Sequence, residues 1–262
     1  MDFGPANIII DIAIVIAVLA VVLLLVIALP RGKKLQVLSL AEVQEGLHRT
    51  GIVTIEGGQP DTAVSLYIRN RGGGLLLVEC ERGTVIEATE PQYQDLIAPR
   101  PQSLEIPRKS TERLDLEVLS LAARKKPPGR HGEGGYRVRG LVRSKDVLNL
   151  LAMVDGLEAE ASRYVKQVDG DRVSYRSMAD DLVILTAACT YEVLESGGYQ
   201  VRVPDEVIQY ALWQITDRLS FEALVELVDQ PPSPEGRLDL VGKVLAANVL
   251  LEAVGLKPTS GL

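Results

Sequence analysis

Imidazoles are scarce in this chain: His48 and His131 are the only two in 262 residues. Histidine catalysis needs a nucleophile or an orienting carboxylate within hydrogen-bond reach, and neither residue lies in a motif of that kind. His48 falls near the end of a predicted helix, where a cation complements the dipole, and His131 falls in the Gly-rich stretch "GRHGEGG". Both are expected to be noncatalytic. The two thiols, Cys80 in "LLLVEC" and Cys189 in "LTAACTYEV", have no adjacent histidine or basic residue to lower their pKa. They read as small core residues, and two cysteines suit a reducing compartment rather than a disulfide framework. No Cys or His pair has zinc-site spacing, so no metal is expected.

Three consecutive glycines, Gly72 to Gly74 in "RNRGGGLLLVEC", could cradle a phosphate, but they lack the Lys-Ser or Lys-Thr ending and lead into a strand instead of a helix. A hairpin loop is the expectation. Among the acids, Asp169 and Asp171 flank Gly170 in a turn signal, and Asp180 and Asp181 read as helix caps. Too few local oxygen ligands stand at a defined spacing for calcium. No catalytic, cofactor-binding or metal-binding residue is therefore expected, and no cofactor.

Basic side chains are the better lead. Residues 100 to 145 hold twelve Lys or Arg against five Asp or Glu, a balance of +7, while residues 146 to 262 hold nine against nineteen, a balance of -10. Arg108, Lys109, Arg113, Arg124, Lys125, Lys126 and Arg130, with Arg31, Lys33 and Lys34 nearer the amino terminus, are the candidate contacts for anionic lipid or a protein partner. A solvated spacer is the plain alternative. Nucleic acid fits less well, because the chain carries a net charge of -7 and only 4% aromatic residues to stack bases.

The elements that must place these charges begin with a membrane-length segment. Ile12 to Leu29 is an apolar run of eighteen residues without a charge, and from Ile8 onward only Asp11 interrupts it. At about 1.5 Å per residue a helix of this length crosses the roughly 30 Å hydrocarbon core of a bilayer. A signal peptide would begin with positive charge, be shorter and end in a small-x-small step. Here no Lys or Arg precedes Ile8, and the exit reads "IALPRGKK". Asp11, one turn inside, reads as a boundary residue. The basic flank after the span puts the carboxyl-terminal side in the cytoplasm. The expectation is a short outside terminus over 1–7, a transmembrane helix over 8–30, and a cell-membrane location. Ala13 and Ala17 have small-xxx-small spacing, which allows a homodimer.

Beyond the span, Ser39 and Glu42 have capping-box spacing and predict a short helix over 40–48, closed by Gly51. "GIVTIEGG", "AVSLYIRN", "GLLLVECE" and "GTVIEAT" predict four short strands in a meander. The capped helix, "TGIVTIEGG" and the closing "ERGTVIEA" together resemble, over about fifty residues, the small PATAN-type domains of bacterial signalling and gliding proteins. The resemblance rests on strand and turn chemistry and implies no activity. Residues 35–98 are thus expected to form a small β-rich domain with one helix.

Residues 99–135 read as a Pro/Gly-rich basic linker with an amphipathic helix over 111–124, since Leu114, Val118 and Leu121 fall at i, i+4 and i+7. Residues 136–262 read as an acidic, mainly helical domain. "SKDVLNLLAMVDGLEAEASRYVKQV" predicts one helix or two broken near Gly156, "DGDRVSYRS" a turn and strand, and "DDLVILTAACTYEVLES" either a helix or a buried strand, with its length and alanines favouring the helix. "GGYQVRV" then predicts a strand, and three further helices follow from "PDEVIQYALWQITDRL", "SFEALVELVDQ" and "RLDLVGKVLAANVLLEAVGL". The fold class is α+β: one transmembrane helix, a β-rich domain and a mainly helical domain.

The anchor, the split charge and the missing catalytic constellations point to a single-pass, membrane-anchored cytoplasmic binding or scaffold protein with a protein partner. A membrane-tethered ligand-sensing module, or an enzyme with a site of dispersed carboxylates and hydroxyls, is the alternative.

Overall fold

The computed structural model describes residues 35–46, 51–56, 63–128, 135–165, 190–193, 199–228 and 234–259. These residues form a mixed α+β structure of several small sheets and five helices. Among them no helix is long and apolar enough to cross a membrane, and the apolar segment 8–29 lies outside them.

The first strand, β1 (Gln36–Ser39), runs straight into helix α1 (Leu40–Glu45). Ser39 stops the strand and starts the helix: its backbone N–H donates to the Glu42 carboxylate at 2.8 Å, and the Glu42 N–H donates back to the Ser39 hydroxyl at 3.3 Å. This is the capping box read from the sequence. Its closing glycine is Gly46 at φ +65°, whose N–H bonds to the Val43 carbonyl, not Gly51, which opens the next strand.

Four predicted strands are present as β2 (Gly51–Glu56), β3 (Ala63–Asn70), β4 (Leu76–Cys80) and β5 (Thr84–Ala88). They do not form a meander. Only β2 and β3 pair with each other, while β4 pairs with β1 in parallel and β5 belongs to a third sheet. The partners come from further along the chain: β6 (Leu96–Ile97), β7 (Gln102–Ile106), β8 (Thr111–Glu117), β9 (Leu119–Ser120) and β10 (Tyr136–Leu141). The sheets are then β1-β4-β7, β2-β3-β8 and β10-β5-β6-β9.

Residues 111–117 are therefore strand, not the expected helix. In β8 the burial alternates, with Leu114 and Leu116 inside and Thr111, Arg113 and Asp115 outside. An i, i+4 pair is compatible with both periods, and Leu116 at i+2 settles the matter. With β7 and β9 also in sheets, residues 102–120 pack within the fold.

Two apolar cores share these strands. One lies between the first two sheets and α1, with Leu66, Ile68, Val78 and Leu116 fully enclosed. The other is mainly helical, from α2 (Lys145–Val165), α3 (Asp205–Thr216), α4 (Phe221–Val228) and α5 (Pro234–Ala253). Leu96 faces the first core and its neighbour Ile97 the second; Val118 and Leu119 divide in the same way. Successive strand residues point to opposite faces, so β6 and β9 are buried on both sides and join the two cores.

Glutamine side chains seal two of the sheet edges. Gln209 accepts from the Ser120 N–H and donates to its carbonyl, both at 2.7 Å, and Gln44 does the same at Val138. Each amide stands in for a missing neighbouring strand.

Helix α2 continues through Gly156, so the alternative of a break there is set aside. Residues 190–193 form strand β11 (Thr190–Val193), paired with β12 (Tyr199–Arg202), where the expected helix over 180–196 would have ended. The rest of that segment, and "DGDRVSYRS", lie outside the described residues. The last three predicted helices are present.

Candidate functional site

Among the described residues, a gathering of cations without an acidic partner stands where two sheets are joined. Strand β3 leaves the second sheet through residues 71–75 to reach β4 in the first, and β7 leaves the first through residues 107–110 to reach β8 in the second. Both connections lie at one end, because Leu76 pairs with Ile106 and Arg69 with Thr111. Asn70 ties them together. It is 1% exposed, and its amide donates at 2.9 Å to the carbonyls of Gly74 and Ile106 while its oxygen accepts from the Gly72 N–H at 2.8 Å. Its own backbone N–H bonds to the Ser110 carbonyl.

With Asn70 turned inward, Arg69 and Arg71 on either side of it are exposed. They line a shallow open cleft of about 380 Å³ with Asn70 and Lys109. Lys109 reaches it from a left-handed backbone position, φ +60°, which costs a non-glycine residue about 1–2 kcal/mol. Among the described residues no carboxylate lines the cleft. By contrast Arg82, Arg113, Arg137 and Arg139 each hold an acidic partner.

The basic residues expected as candidate contacts are divided. Lys109 lines the cleft, and Arg108 is exposed beside it on the same turn. Arg113 is paired with Asp115 at 2.7 Å. Arg124, Lys125 and Lys126 are exposed on a different part of the fold, where the Lys126 backbone runs beside Tyr93 and Gln94. Arg31, Lys33, Lys34 and Arg130 lie outside the described residues, as do His48, His131 and Cys189. Arg69 and Arg71 are not among the basic residues expected as contacts from the sequence. Their signal was the "RNRGGG" run, two cations bracketing a polar residue before a glycine loop.

A second charged group is buried and fully engaged. Arg100 donates through Nη2 to Glu158 at 2.7 Å and to the Val203 carbonyl at 2.8 Å, and through Nη1 to Asp205 at 2.6 Å. The Val203 N–H in turn donates to Glu158 at 2.9 Å. Burial alone would lower the guanidinium pKa, but the two carboxylates outweigh it and hold it above its ordinary value. This arrangement ties the segment after β6 to α2 and α3, a structural job for a permanently charged group.

Cys80 is 1% exposed, and burial pushes its thiol up to about 11. A thiol so placed is no nucleophile at neutral pH. Among the described residues no group of His, Cys, Asp and Glu is arranged to hold a metal ion.

No family model, no curated protein and no solved structure matches this chain.

Proposed function

We propose that this chain is a single-pass, membrane-anchored protein whose folded part lies on the cytoplasmic side and acts by binding within a membrane-associated assembly. The apolar run from Ile12 to Leu29 and the cations that follow it support the anchor and its orientation. One structural observation carries the reading furthest. The described residues begin at Leu35, and the parallel register of β1 sets Gln36 beside Leu76, with the Gln36 N–H donating to the Leu75 carbonyl at 3.0 Å. Leu75 ends the glycine loop of the basic cleft. The end of the fold that receives the chain from residue 34 is thus the end that presents Arg69, Arg71 and Lys109.

Six residue steps separate Leu29 from Leu35, and an extended chain covers at most about 3.6 Å per step, roughly 20 Å in all. A span ending at Leu29 holds this basic end close to the bilayer surface. The rest of the fold then faces the cytoplasm and is available to a protein partner.

In-cell crosslinking followed by detergent pull-down tests the reading, comparing the full chain with a version beginning at Leu35. A specific partner recovered with the full chain and lost with the shorter one is the expected result. Equal recovery of that partner with both versions, or recovery of none, would count against a membrane-localised binding role.

A further inference from the structure

Resting on the anchored reading above, we infer that the cleft of Arg69, Arg71 and Lys109 is a receptor for the phosphate-bearing headgroup of an anionic membrane lipid. Three observations converge on it. The cations come from two separate connections, yet one buried amide, Asn70, fixes both, so their spacing is set by the fold. They line one open cleft in which, among the described residues, no carboxylate stands, and the repulsion between like charges so gathered is relieved by an anion. The cleft also stands at the end of the first sheet where β1 begins.

The chemistry suits a phosphate. Two guanidinium forks offer paired N–H donors to phosphate oxygens, and a lysine adds a compact point charge. A cleft open to solvent suits a headgroup that stays attached to a bilayer. Leu35, 53% exposed, stands at the same end of the first sheet, just before β1, where it offers an apolar side chain to the interface. The cytoplasmic leaflet is the more anionic one, and this agrees with the orientation proposed for the anchor.

The test uses the full chain reconstituted in nanodiscs of phosphatidylcholine alone or phosphatidylcholine with phosphatidylglycerol, read by amide hydrogen exchange in residues 71–75 and 107–110. Exchange there is expected to slow in the anionic discs by about fivefold for each cation engaged, the factor that one basic side chain contributes near an anionic surface. The slowing disappears in Arg69→Gln/Arg71→Gln/Lys109→Gln. It survives in Arg124→Gln/Lys125→Gln/Lys126→Gln, which removes the same charge elsewhere. Exchange that ignores lipid composition, or that responds equally to both triple variants, overturns the assignment. So does equal slowing by millimolar inorganic phosphate in phosphatidylcholine discs, which would make the ligand a free phosphate. Insertion is read separately: a chain that enters neutral discs but shows no headgroup effect refutes the cleft alone, while one that enters no disc refutes the anchor and the cleft with it.

Discussion

Arg100 shows how much one residue can organise while leaving little trace in sequence. Its main partners, Glu158 and Asp205, are 58 and 105 positions away, and nothing local announces them. "APRPQ" reads as loop, and a charge inside a proline-rich stretch reads as solvated. Replacing Arg100 by Met leaves Glu158 buried without its cation and should cost about 3–5 kcal/mol, measured by denaturant unfolding of the full chain in mild detergent. Arg100→Met with Glu158→Leu should recover much of that loss, because an apolar pair of similar size removes the stranded charge. Cys80 makes a second residue-scale prediction. Its thiol ionises near 11 in the folded chain against an ordinary 9.0, so the unfolded chain ionises first as pH rises. The stability that Cys80 contributes is complete below about pH 9 and falls as pH climbs toward 11. Alkylation of Cys80 by iodoacetamide at neutral pH, read at that site by peptide mass spectrometry, should proceed only as fast as the protein opens, and rapid labelling of Cys80 in the native chain would contradict that burial.

Elements were legible where the signal was local. The Ser39–Glu42 box, the alternating strands and the acid-led helix after Pro204 could each be read from a window of a few residues, and each is present. The sequence is ambiguous where two periods share a spacing. Leu114 and Val118 stand four apart, which suits a helix, yet they also stand at alternate positions of an extended chain, and the paired strand β3 makes the choice. The order of strands within the sheets was out of reach because pairing such as β1 with β4 joins segments far apart in sequence. Gly156 gives the element-scale prediction. It sits exposed within α2, and a Cβ there would meet nothing within 4 Å. Gly156→Ala should therefore stabilise the fold by about 0.5–1 kcal/mol through helix propensity and a less free unfolded chain. A loss of stability, read as a lower thermal midpoint, would show that α2 does not run through this position.

At the scale of the whole molecule, the basic residues picked from the sequence were a composition, and the fold turned part of that composition into a place. Lys109 and Arg108 stand at the end where the chain enters from its apolar segment, joined there by Arg69 and Arg71, while Arg124 to Lys126 stand on another part of the fold. The central claim is that this end faces a membrane. Site-specific photocrosslinking of the full chain in native membranes tests it most directly, with the reactive group placed at Lys109 or at Glu81, an exposed position about 15 Å along β4 from the cleft end. Lipid adducts from position 109 and few or none from position 81 are the predicted result. Equal adducts from both positions, or more from 81 than from 109, would contradict the account.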